Sequence, residues 1–267
     1  MKSIMDRIDD HYAESRKYFK QDEIVGIFLQ GSQNYGLDLP GSDVDTKLIV
    51  LPSFKDIALA NKPVSTTHIR ANEEHTDWKD IRLYMETFRK QNLNFLEILF
   101  TDFKFVNPKY EAQWNRLITE RERIARMNPY QAVKSMKGIA MEKYHAMEHR
   151  YPSKVEILDR MGYDPKQLHH LARVDDFQTR YINGEKYDDC LHPVPAIRKL
   201  LLDIKRGMFP LDEARDMADM YIDHVTKISD SFCAERVDAE DPAMRALLED
   251  VSYNIMKIAV QEELKNL

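Results

Sequence analysis

Two short apolar runs lie near the start of the chain, on either side of a polar stretch rich in turn-forming residues. The first run predicts a buried strand over 23–30, and the second predicts a strand over 43–51. The intervening segment, 31–42, predicts a loop, in which Pro40-Gly41 turns the chain back towards the second strand. The pattern therefore predicts two neighbouring strands joined by a polar turn.

The rest of the first hundred residues alternates between short helical and short extended patterns. Apolar residues at helical spacing predict an amphipathic helix over 3–20, and Asp80 is a favourable N-cap for a helix over 81–91. The shorter elements are predicted as strands over 64–70 and 73–78 and as helices over 54–60 and 94–100.

Beyond residue 103 the hydrophobic pattern is helical almost throughout, with no internal repeat. Asn128-Pro129 and Asp164-Pro165 are each typical of a helix cap followed by the first helical turn. The predicted helices cover 128–149, 164–182, 195–205, 211–228 and 242–263. We therefore predict an α+β protein, with an α/β domain over 1–103 and an all-helical domain over 104–267.

Composition and charge narrow the class of protein. With 267 residues, of which 43% are apolar, the chain is long enough to bury a substantial core. A net charge of −6 argues against a surface that binds nucleic acid uniformly. The charge is uneven, however, because residues 104–173 contain 14 Lys and Arg against 8 Asp and Glu. This basic segment either binds a phosphate-bearing substrate or forms ordinary solvated helix faces.

The sequence also indicates a compartment. The two cysteines, Cys190 and Cys233, have no paired spacing, which argues against a disulfide framework and a zinc site. The first residues are too charged for a signal peptide, and no apolar run reaches the roughly 18–20 residues that span a membrane. We expect a cytoplasmic protein that does not bind membranes.

Residues suited to phosphate chemistry lie together in the stretch GSQNYGLDLPGSDVD, which covers 31–45. Because alternate side chains of a strand share a face, Asp43 and Asp45 are expected to point the same way, beside the Gly31-Ser32 turn. Two like charges repel by about 1 kcal/mol in water at 4 Å, so we expect a cation between them. Bare amides of a Gly-Ser turn can bind phosphate oxygens. The stretch therefore predicts a divalent-metal and triphosphate site.

A third carboxylate would complete the cage around the cation. Asp77, within the predicted strand over 73–78, is the preferred candidate, since Asp80 is expected to cap the following helix. Glu73 and Glu74 are expected to be solvated charges at the beginning of that strand.

Together these residues resemble the DNA polymerase β superfamily of nucleotidyltransferases, and more narrowly the RNA-ligase-associated (RNA repair) nucleotidyltransferase family. The family core G-S-x-x-x-G-(L/A)-x-x-P-x-S-D-x-D is similar to GSQNYGLDLPGSDVD, and a second family block is similar to DWKDIRLYMETFRKQNLNFLEILF. A third block, a K-x-x-x-H-x-x-R helix followed by a Gly, is matched by Lys166, His170, Arg173 and Gly184.

The resemblance covers about residues 24–210 and includes two departures from the family pattern. Asn92-Leu93-Asn94 lacks the usual proline, which is a structural difference. Thr46-Lys47 replaces the more usual aromatic-Arg pair, which bears on how a substrate would sit.

The resemblance implies a minimal polymerase-β-like domain, in which a short mixed sheet has helices on one side, followed by a helical domain. It implies Mg²⁺-dependent transfer of a nucleoside monophosphate from an NTP to a hydroxyl, with release of pyrophosphate. The catalytic residues, which would also bind two Mg²⁺ ions or Mn²⁺ in their place, would be Asp43, Asp45 and Asp77. The residues that bind nucleotide phosphates would be Gly31, Ser32, Lys166, His170 and Arg173. The last three lie at i, i+4 and i+7, so they share one helix face.

The expected partners are an NTP and an RNA 3′ end, such as that of a tRNA. Two alternatives keep the chemistry and change the acceptor to a protein hydroxyl (AMPylation) or to a small molecule such as an aminoglycoside. A catalytically silent nucleotide- or RNA-binding module is a further alternative from a different class, and a surface Asp-Val-Asp without function is another. RNA binding through several phosphates would weaken steeply with salt, which separates RNA from a small acceptor.

Overall fold

The computed structural model describes residues 2–265. Its contacts divide the chain into two compact units. The first unit contains residues 2–34, 40–127 and 240–265 of the described chain. The second unit contains Tyr35–Leu39 and Asn128–Ala239. The stretch 31–45 is therefore shared, since its middle belongs to the second unit and its two ends belong to the first.

The first unit contains a five-stranded mixed sheet. Its strands are β1 (Ile24–Gln30), β2 (Asp45–Val50), β3 (Ser65–Ile69), β4 (His75–Asp80) and β5 (Lys104–Val106). They are ordered β3-β4-β2-β1-β5 across the sheet. β2 runs parallel to β4, and every other neighbouring pair is antiparallel.

Four of these strands were predicted, and one boundary differs in a way that matters. β2 begins at Asp45, two residues later than predicted, because the Val44 N–H bonds to the Glu74 carboxylate and not to a neighbouring strand. The rule that alternate side chains share a face therefore applies from Asp45 onward and does not orient Asp43. The three-residue strand β5 was not predicted, since it is too short to show an alternating pattern.

Between residues 4 and 124, the first unit contains six α-helices. They are α1 (Ile4–Ser15), α2 (Phe54–Ala58), α3 (Ile81–Arg89), α4 (Leu93–Leu96), α5 (Pro108–Thr119) and α6 (Arg121–Ile124). Asp80 caps α3 as predicted, because its Oδ1 accepts a hydrogen bond of 2.8 Å from the Arg82 N–H. Asp80 is buried, which agrees with a capping role for this carboxylate.

The second unit is helical. Its helices are α7 (Pro129–Ala146), α8 (Val155–Met161), α9 (Pro165–Ile182), α10 (Tyr187–Leu191), α11 (Pro195–Lys205) and α12 (Leu211–Ala234). Asn128 caps α7 and Asp164 caps α9, as predicted, by accepting bonds from N–H groups in the first turn. α9 ends at Ile182, and Gly184 with a φ of 86° follows it, where a residue with a side chain would be strained.

The last helix, α13 (Pro242–Lys265), belongs to the first unit. It packs against α5 and α3, and ion pairs join Arg116 to Asp250 at 2.7 Å and Lys109 to Glu262 at 2.6 Å. This division differs from the predicted boundary after residue 103, because α5, α6 and α13 all pack with the sheet unit. The predicted α+β class is confirmed by the mixed sheet and the largely helical remainder.

The core beside the candidate site lies between the sheet and α1. Its buried residues are Ile8, Ile24, Ile27, Leu29, Val44, Leu48, Val50 and Trp78. Val44, between the two aspartates of the Asp-Val-Asp segment, is fully buried, and burying a side chain of this kind contributes roughly 1.5–3 kcal/mol. The core therefore anchors the middle of this segment. Over residues 2–265, none of the helices combines the length and apolar character needed to cross a bilayer.

Candidate functional site

The sheet register brings the Gly-Ser turn beside the Asp-Val-Asp segment. Gln30, the last residue of β1, pairs with Asp45, the first residue of β2. Gly31 and Ser32 follow Gln30 directly, so they lie at the end of the sheet where β1 ends and β2 begins. Gly31 has a φ of 94°, a conformation that residues with a side chain rarely adopt, although a Cβ there would meet no atom within 4 Å. The backbone conformation, and not crowding, explains the glycine.

The two aspartates of the segment differ in exposure. Asp43 is exposed, whereas the Asp45 side chain is 31% exposed. Asp45 Oδ1 accepts a hydrogen bond of 2.9 Å from the backbone N–H of His75, and the His75 ring Nδ1 lies 3.8 Å from the same oxygen. The bond from the backbone fixes Asp45 while the carboxylate keeps access to solvent.

Hydrogen bonds from two different elements hold the backbone of this segment. Arg7 of α1 donates from Nη1 to the Ser42 carbonyl oxygen at 3.2 Å. Gln33 of the turn donates from Nε2 to the Asp43 carbonyl oxygen at 2.9 Å. The segment is thus fixed on its way into β2 although it lies outside the sheet ladder.

Glu74 makes the central contact with the segment. Its side chain is 1% exposed, and its Oε1 accepts from the Val44 N–H at 3.1 Å. The same carboxylate forms ion pairs with Arg7 and with Arg70, and it accepts a bond of 2.9 Å from His11 Nε2. The prediction of a solvated Glu74 is therefore wrong, because the β3–β4 hairpin folds this residue under the Asp-Val-Asp segment.

His11 completes the buried network as a neutral ring. Burial lowers the pKa of His11 to about 4, and the neighbouring Arg70 and Arg7 add to the decrease. A carboxylate only accepts, so His11 Nε2 donates to Glu74, and Nδ1 accepts at 3.1 Å from the Thr76 hydroxyl, which itself accepts from the Thr46 hydroxyl. Charge compensation of Glu74 thus comes from the two arginines.

Asp77 lies on the same face of the sheet as Asp45, but it has partners of its own. Asp77 is paired with Lys47 in the parallel register of β2 and β4. Its Oδ2 lies 3.3 Å from Lys47 Nζ, and its Oδ1 accepts a bond of 2.6 Å from the Thr67 hydroxyl. Both oxygens of the expected third carboxylate are therefore engaged by the protein.

Lys47, noted in the sequence only as a departure from the family pattern, is the unpredicted partner of Asp77. Its side chain is only 3% exposed, and its ammonium lies 4.1 Å from the centre of the Phe95 ring. Burial lowers the pKa of Lys47, although Asp77 opposes the decrease. The available signal was its position two residues after Asp45, which puts both side chains on one face of β2.

The carboxylates are not gathered into one metal cage. Throughout the part of the chain that the structure describes, no group of three or more His, Cys, Asp or Glu side chains is arranged to hold a metal ion. Asp43 and Asp45 nevertheless suit Mg²⁺, which commonly uses one or two carboxylates together with water and substrate phosphates. Asp77, in contrast, is contacted by the Lys47 ammonium and the Thr67 hydroxyl.

The expected phosphate-binding turn is partly occupied by a protein carboxylate. The Gly31 N–H, expected to face a phosphate, donates to Glu97 Oε1 at 3.2 Å. Glu97 is buried, so it holds the turn from the inside. Ser32 is half-buried and begins a short 3₁₀ turn that ends at Tyr35. Ser32 therefore remains the better phosphate-binding candidate of the two.

In the second unit, one expected cationic residue, Arg173, and two that were not predicted, Arg198 and Lys205, contact the segment Tyr35–Leu39. The guanidinium of Arg173 stacks on the Tyr35 ring at 4.0 Å, and both side chains are buried. Arg198 donates to the Gly36 carbonyl oxygen at 2.7 Å, and Lys205 donates to the Leu37 carbonyl oxygen at 2.8 Å. The two cations predicted to share one face of α9 therefore differ in solvent exposure. Lys166 is exposed, whereas Arg173 is buried.

His170 does not add a positive charge to this helix face near neutral pH. Burial lowers the pKa of His170 well below its usual value, and His169, Arg173, Lys166 and Lys143 lower it further. The expected cationic row on α9 therefore has charge at Lys166 and Arg173 only. His169, expected to be structural, is buried and donates from Nδ1 to the Leu201 carbonyl oxygen at 2.9 Å.

A cation-lined cavity of about 420 Å³ lies beside the first turn of α9. Its basic lining residues are Lys154, Arg160, Lys166, Lys205 and Arg206. Its acidic lining residues are Glu156 and Asp164, and Lys154 lies 3.2 Å from Asp164. Burial lowers the pKa of Lys205, and the like charges of Lys166 and Arg173 also contribute. The lining therefore has an excess of positive charge that an anion would offset.

Comparisons with known proteins add little to this geometry. No protein-family model matches the chain, and no curated protein matches it. Among solved structures, the chain is similar to a nucleotidyltransferase-like protein from Exiguobacterium sibiricum 255-15, at 12% identity and a TM-score of 0.32. The match covers 86% of this chain and 75% of that chain. A likeness this distant supports no assignment of activity or of site residues.

Proposed function

We propose that this protein is a nucleotidyltransferase that moves a nucleoside monophosphate from an NTP to a hydroxyl, with an RNA 3′ end as the acceptor. The observation that carries the proposal is the pairing of Gln30 with Asp45, which brings Gly31-Ser32 beside Asp43 and Asp45. The resemblance of the stretch 31–45 to the polymerase β superfamily supports the same reading. The acceptor oxygen bonds to the α-phosphorus, the bond to the β-phosphate breaks, and pyrophosphate and a proton are released.

Asp43 and Asp45 are the residues that would hold Mg²⁺ with the nucleotide phosphates. When bound, Mg²⁺ offsets the charge of the phosphates and stabilises the oxygen of the leaving pyrophosphate. The protein's own contribution is orientation, since His75 N–H fixes one oxygen of Asp45 at 2.9 Å and leaves the carboxylate partly exposed. Asp77 as a ligand of a second ion stays a prediction.

Ser32 is the phosphate-binding residue of the turn in this proposal. Its hydroxyl and N–H lie at the start of the 3₁₀ turn, beside the first residue of β2. Gly31 contributes the backbone conformation of the turn while its N–H donates to Glu97. In the second unit, Lys166, His170 and Arg173 are proposed to bind phosphate, the two cations through their charge and neutral His170 through a hydrogen bond.

The cavity beside α9 favours RNA over the other acceptors. Five cations against two carboxylates line about 420 Å³ of open space, which suits phosphates of a nucleic-acid strand. An aminoglycoside would gain nothing from this lining because it is itself cationic, and a protein hydroxyl by itself presents no negative charge for the lining to bind. The excess positive charge also agrees with the basic composition of residues 104–173.

The test is incubation with each α-³²P-labelled NTP and Mg²⁺, with an RNA pool including tRNA, with the protein alone, and with no acceptor. We expect label on RNA, lost in Asp43→Asn with Asp45→Asn and retained in Asp80→Asn, whose carboxylate caps α3. Label on the protein itself would replace RNA transfer with AMPylation. Unchanged labelling in the Asp43/Asp45 double variant would refute the proposed site.

A catalytically silent nucleotide- or RNA-binding module is the second candidate, favoured by one observation. Lys47 already neutralises Asp77, so the three carboxylates do not converge on one place. This candidate predicts nucleotide or RNA binding without transfer of label. The wild-type protein separates the two, since a silent module binds without transferring label. Asp77→Asn then tests the second ion, because a two-ion enzyme would lose transfer in this variant as it does in Asp45→Asn.

A further inference from the structure

The Asp-Val-Asp segment depends on a residue far from it in sequence. Val44 lies between the two candidate metal ligands, and its N–H is bonded to the carboxylate of Glu74, 30 positions later. The sheet ladder does not begin until Asp45, so this bond does for Val44 what a neighbouring strand would do. The backbone between Asp43 and Asp45 is thus held partly by the Glu74 carboxylate.

The position of Glu74 is itself fixed from several sides. Arg7 pairs with Glu74 Oε1, and Arg70 and Asn72 donate to Oε2 at 3.2 and 2.7 Å. His11 donates to the same oxygen at 2.9 Å. A carboxylate held by four side chains cannot shift without moving its partners, so it forms a rigid support.

Stability alone does not explain this arrangement. Burying a carboxylate with two guanidinium groups costs desolvation that the ion pairs commonly no more than offset. Apolar residues of similar volume often stabilise such a position equally well. What apolar residues do not provide is an acceptor for Val44 N–H, which Glu74 places at 3.1 Å.

Arg7 links the same support to the preceding residue. Its guanidinium pairs with Glu74 and also donates to the Ser42 carbonyl oxygen at 3.2 Å. The backbone is therefore held on both sides of Asp43, by Arg7 at residue 42 and by Glu74 at Val44. These two contacts fix the backbone on either side of Asp43, while the Asp43 side chain is exposed to solvent.

We infer that Glu74 is a positioning residue for the metal–nucleotide site, which acts by holding the Val44 N–H so that the carboxylates of Asp43 and Asp45 converge on one divalent cation. This inference rests on the proposed function, since it assumes that these two aspartates bind the ion. Partners that orient metal ligands typically change metal affinity by 10- to 100-fold when they are removed. Glu74 is expected to fall in that range.

The chain offers a matched control in Glu14. Glu14 accepts from Arg70 Nε at 2.8 Å and pairs with His68, so it belongs to the same ionic network. Its described contacts do not include residues 42–45. Glu14→Gln therefore disturbs the network without touching the Asp-Val-Asp segment, whereas a change at Glu74 does both.

The test measures Mn²⁺ binding to the nucleotide-free protein through the electron paramagnetic resonance signal of free Mn²⁺. The variants are Glu74→Asp, Glu14→Gln and Asp43→Asn with Asp45→Asn, each with its melting temperature. Glu74→Asp keeps the charge that compensates the arginines and withdraws the carboxylate from Val44, and its melting temperature shows whether the fold is retained. We expect it to weaken Mn²⁺ binding at least about 10-fold, with Glu14→Gln within about twofold of the wild type.

Each outcome bears on a different statement. Unchanged Mn²⁺ affinity in Glu74→Asp, or an equal loss in Glu14→Gln, would overturn the positioning role and leave the metal site intact. Unchanged affinity in the Asp43/Asp45 double variant would overturn the proposed metal site and with it this inference. Binding is measured below the lowest melting temperature of the set, so that unfolding does not imitate a loss of affinity.

Discussion

Lys47 Nζ lies 3.3 Å from Asp77 Oδ2, in a site where the lysine side chain is 3% exposed and the aspartate is 29% exposed. The two residues are direct partners in the parallel register of β2 and β4, so the backbone pairing brings them together. Phe95 lies under the ammonium at 4.1 Å from the ring centre. A protein cation therefore occupies the space beside Asp77.

A double-mutant cycle on Lys47 and Asp77 measures this relationship. Asp77→Asn leaves a buried ammonium without its carboxylate, and we expect the free energy of unfolding to fall by roughly 3 kcal/mol. Lys47→Met replaces the ammonium with an apolar side chain of similar length and should cost less than about 1.5 kcal/mol. Denaturant unfolding of both single variants and the double variant checks the cycle, and additive effects would contradict the coupling.

Asp80→Ala is expected to destabilise the protein without affecting nucleotide or metal binding. Asp80 caps α3 at 2.8 Å and also accepts from the Arg82 side chain at 2.9 and 2.6 Å. Loss of the cap and of this buried ion pair should lower the free energy of unfolding by about 2 kcal/mol. Circular dichroism melts and Mn²⁺ titration check both parts, and a loss of Mn²⁺ affinity would argue that Asp80 belongs to the site.

Stability is expected to decrease as the pH falls below neutral. Burial lowers the pKa of both His11 and His169 from 6.5 to about 4, so the folded rings stay neutral where the unfolded rings bind a proton. The unfolded state therefore binds more protons between pH 6.5 and 4, and each histidine removes roughly 2 to 3 kcal/mol over that window.

The variant His169→Gln tests this pH dependence, because glutamine can still donate to the Leu201 carbonyl oxygen that His169 contacts. Urea unfolding of the wild type and of this variant at pH 7 and pH 4.5 gives the change in the free energy of unfolding between the two pH values for each protein. Because the pKa values of His11 and His170 are lowered as well, the variant keeps part of this pH dependence, and we expect it to lose roughly 2 kcal/mol less stability than the wild type over this interval. Equal losses would show that His169 is not neutral in the folded protein.

RNA binding is expected to depend on the cavity beside α9. Arg160→Glu with Arg206→Glu reverses two exposed cations of the lining and should weaken RNA binding more than about 10-fold. The slope of log affinity against log salt concentration should also become shallower by about one or two, because fewer counterions are released on binding. The matched control, Lys186→Glu with Lys199→Glu, makes the same change in net charge at exposed residues outside the cavity. Equal losses of RNA affinity in the two double variants would contradict a specific role of the cavity and indicate only a nonspecific effect of net charge on RNA binding.

Local sequence signals predicted much of the secondary structure. Asp80, Asn128 and Asp164 cap the helices that they were expected to cap, because capping requires only a side-chain oxygen and the N–H groups of the next turn. The apolar run before Gly31 forms β1, as predicted, because a short continuous apolar run is typical of a strand buried on both faces. The three-residue strand β5 and the return of α13 to the first unit had no comparable local signal.

For the candidate site, the Gly-Ser turn, the Asp-Val-Asp segment and their separation along the chain could be read from local sequence. Their partners come from the fold: the buried position of Glu74, the Lys47–Asp77 ion pair and the bond from Gly31 to Glu97. The physical reason is that ion pairing and desolvation depend on which side chains a distant strand or helix brings within a few ångströms. Spacing along one strand predicts which side chains share a face, but it does not show which charge from another element lies opposite them.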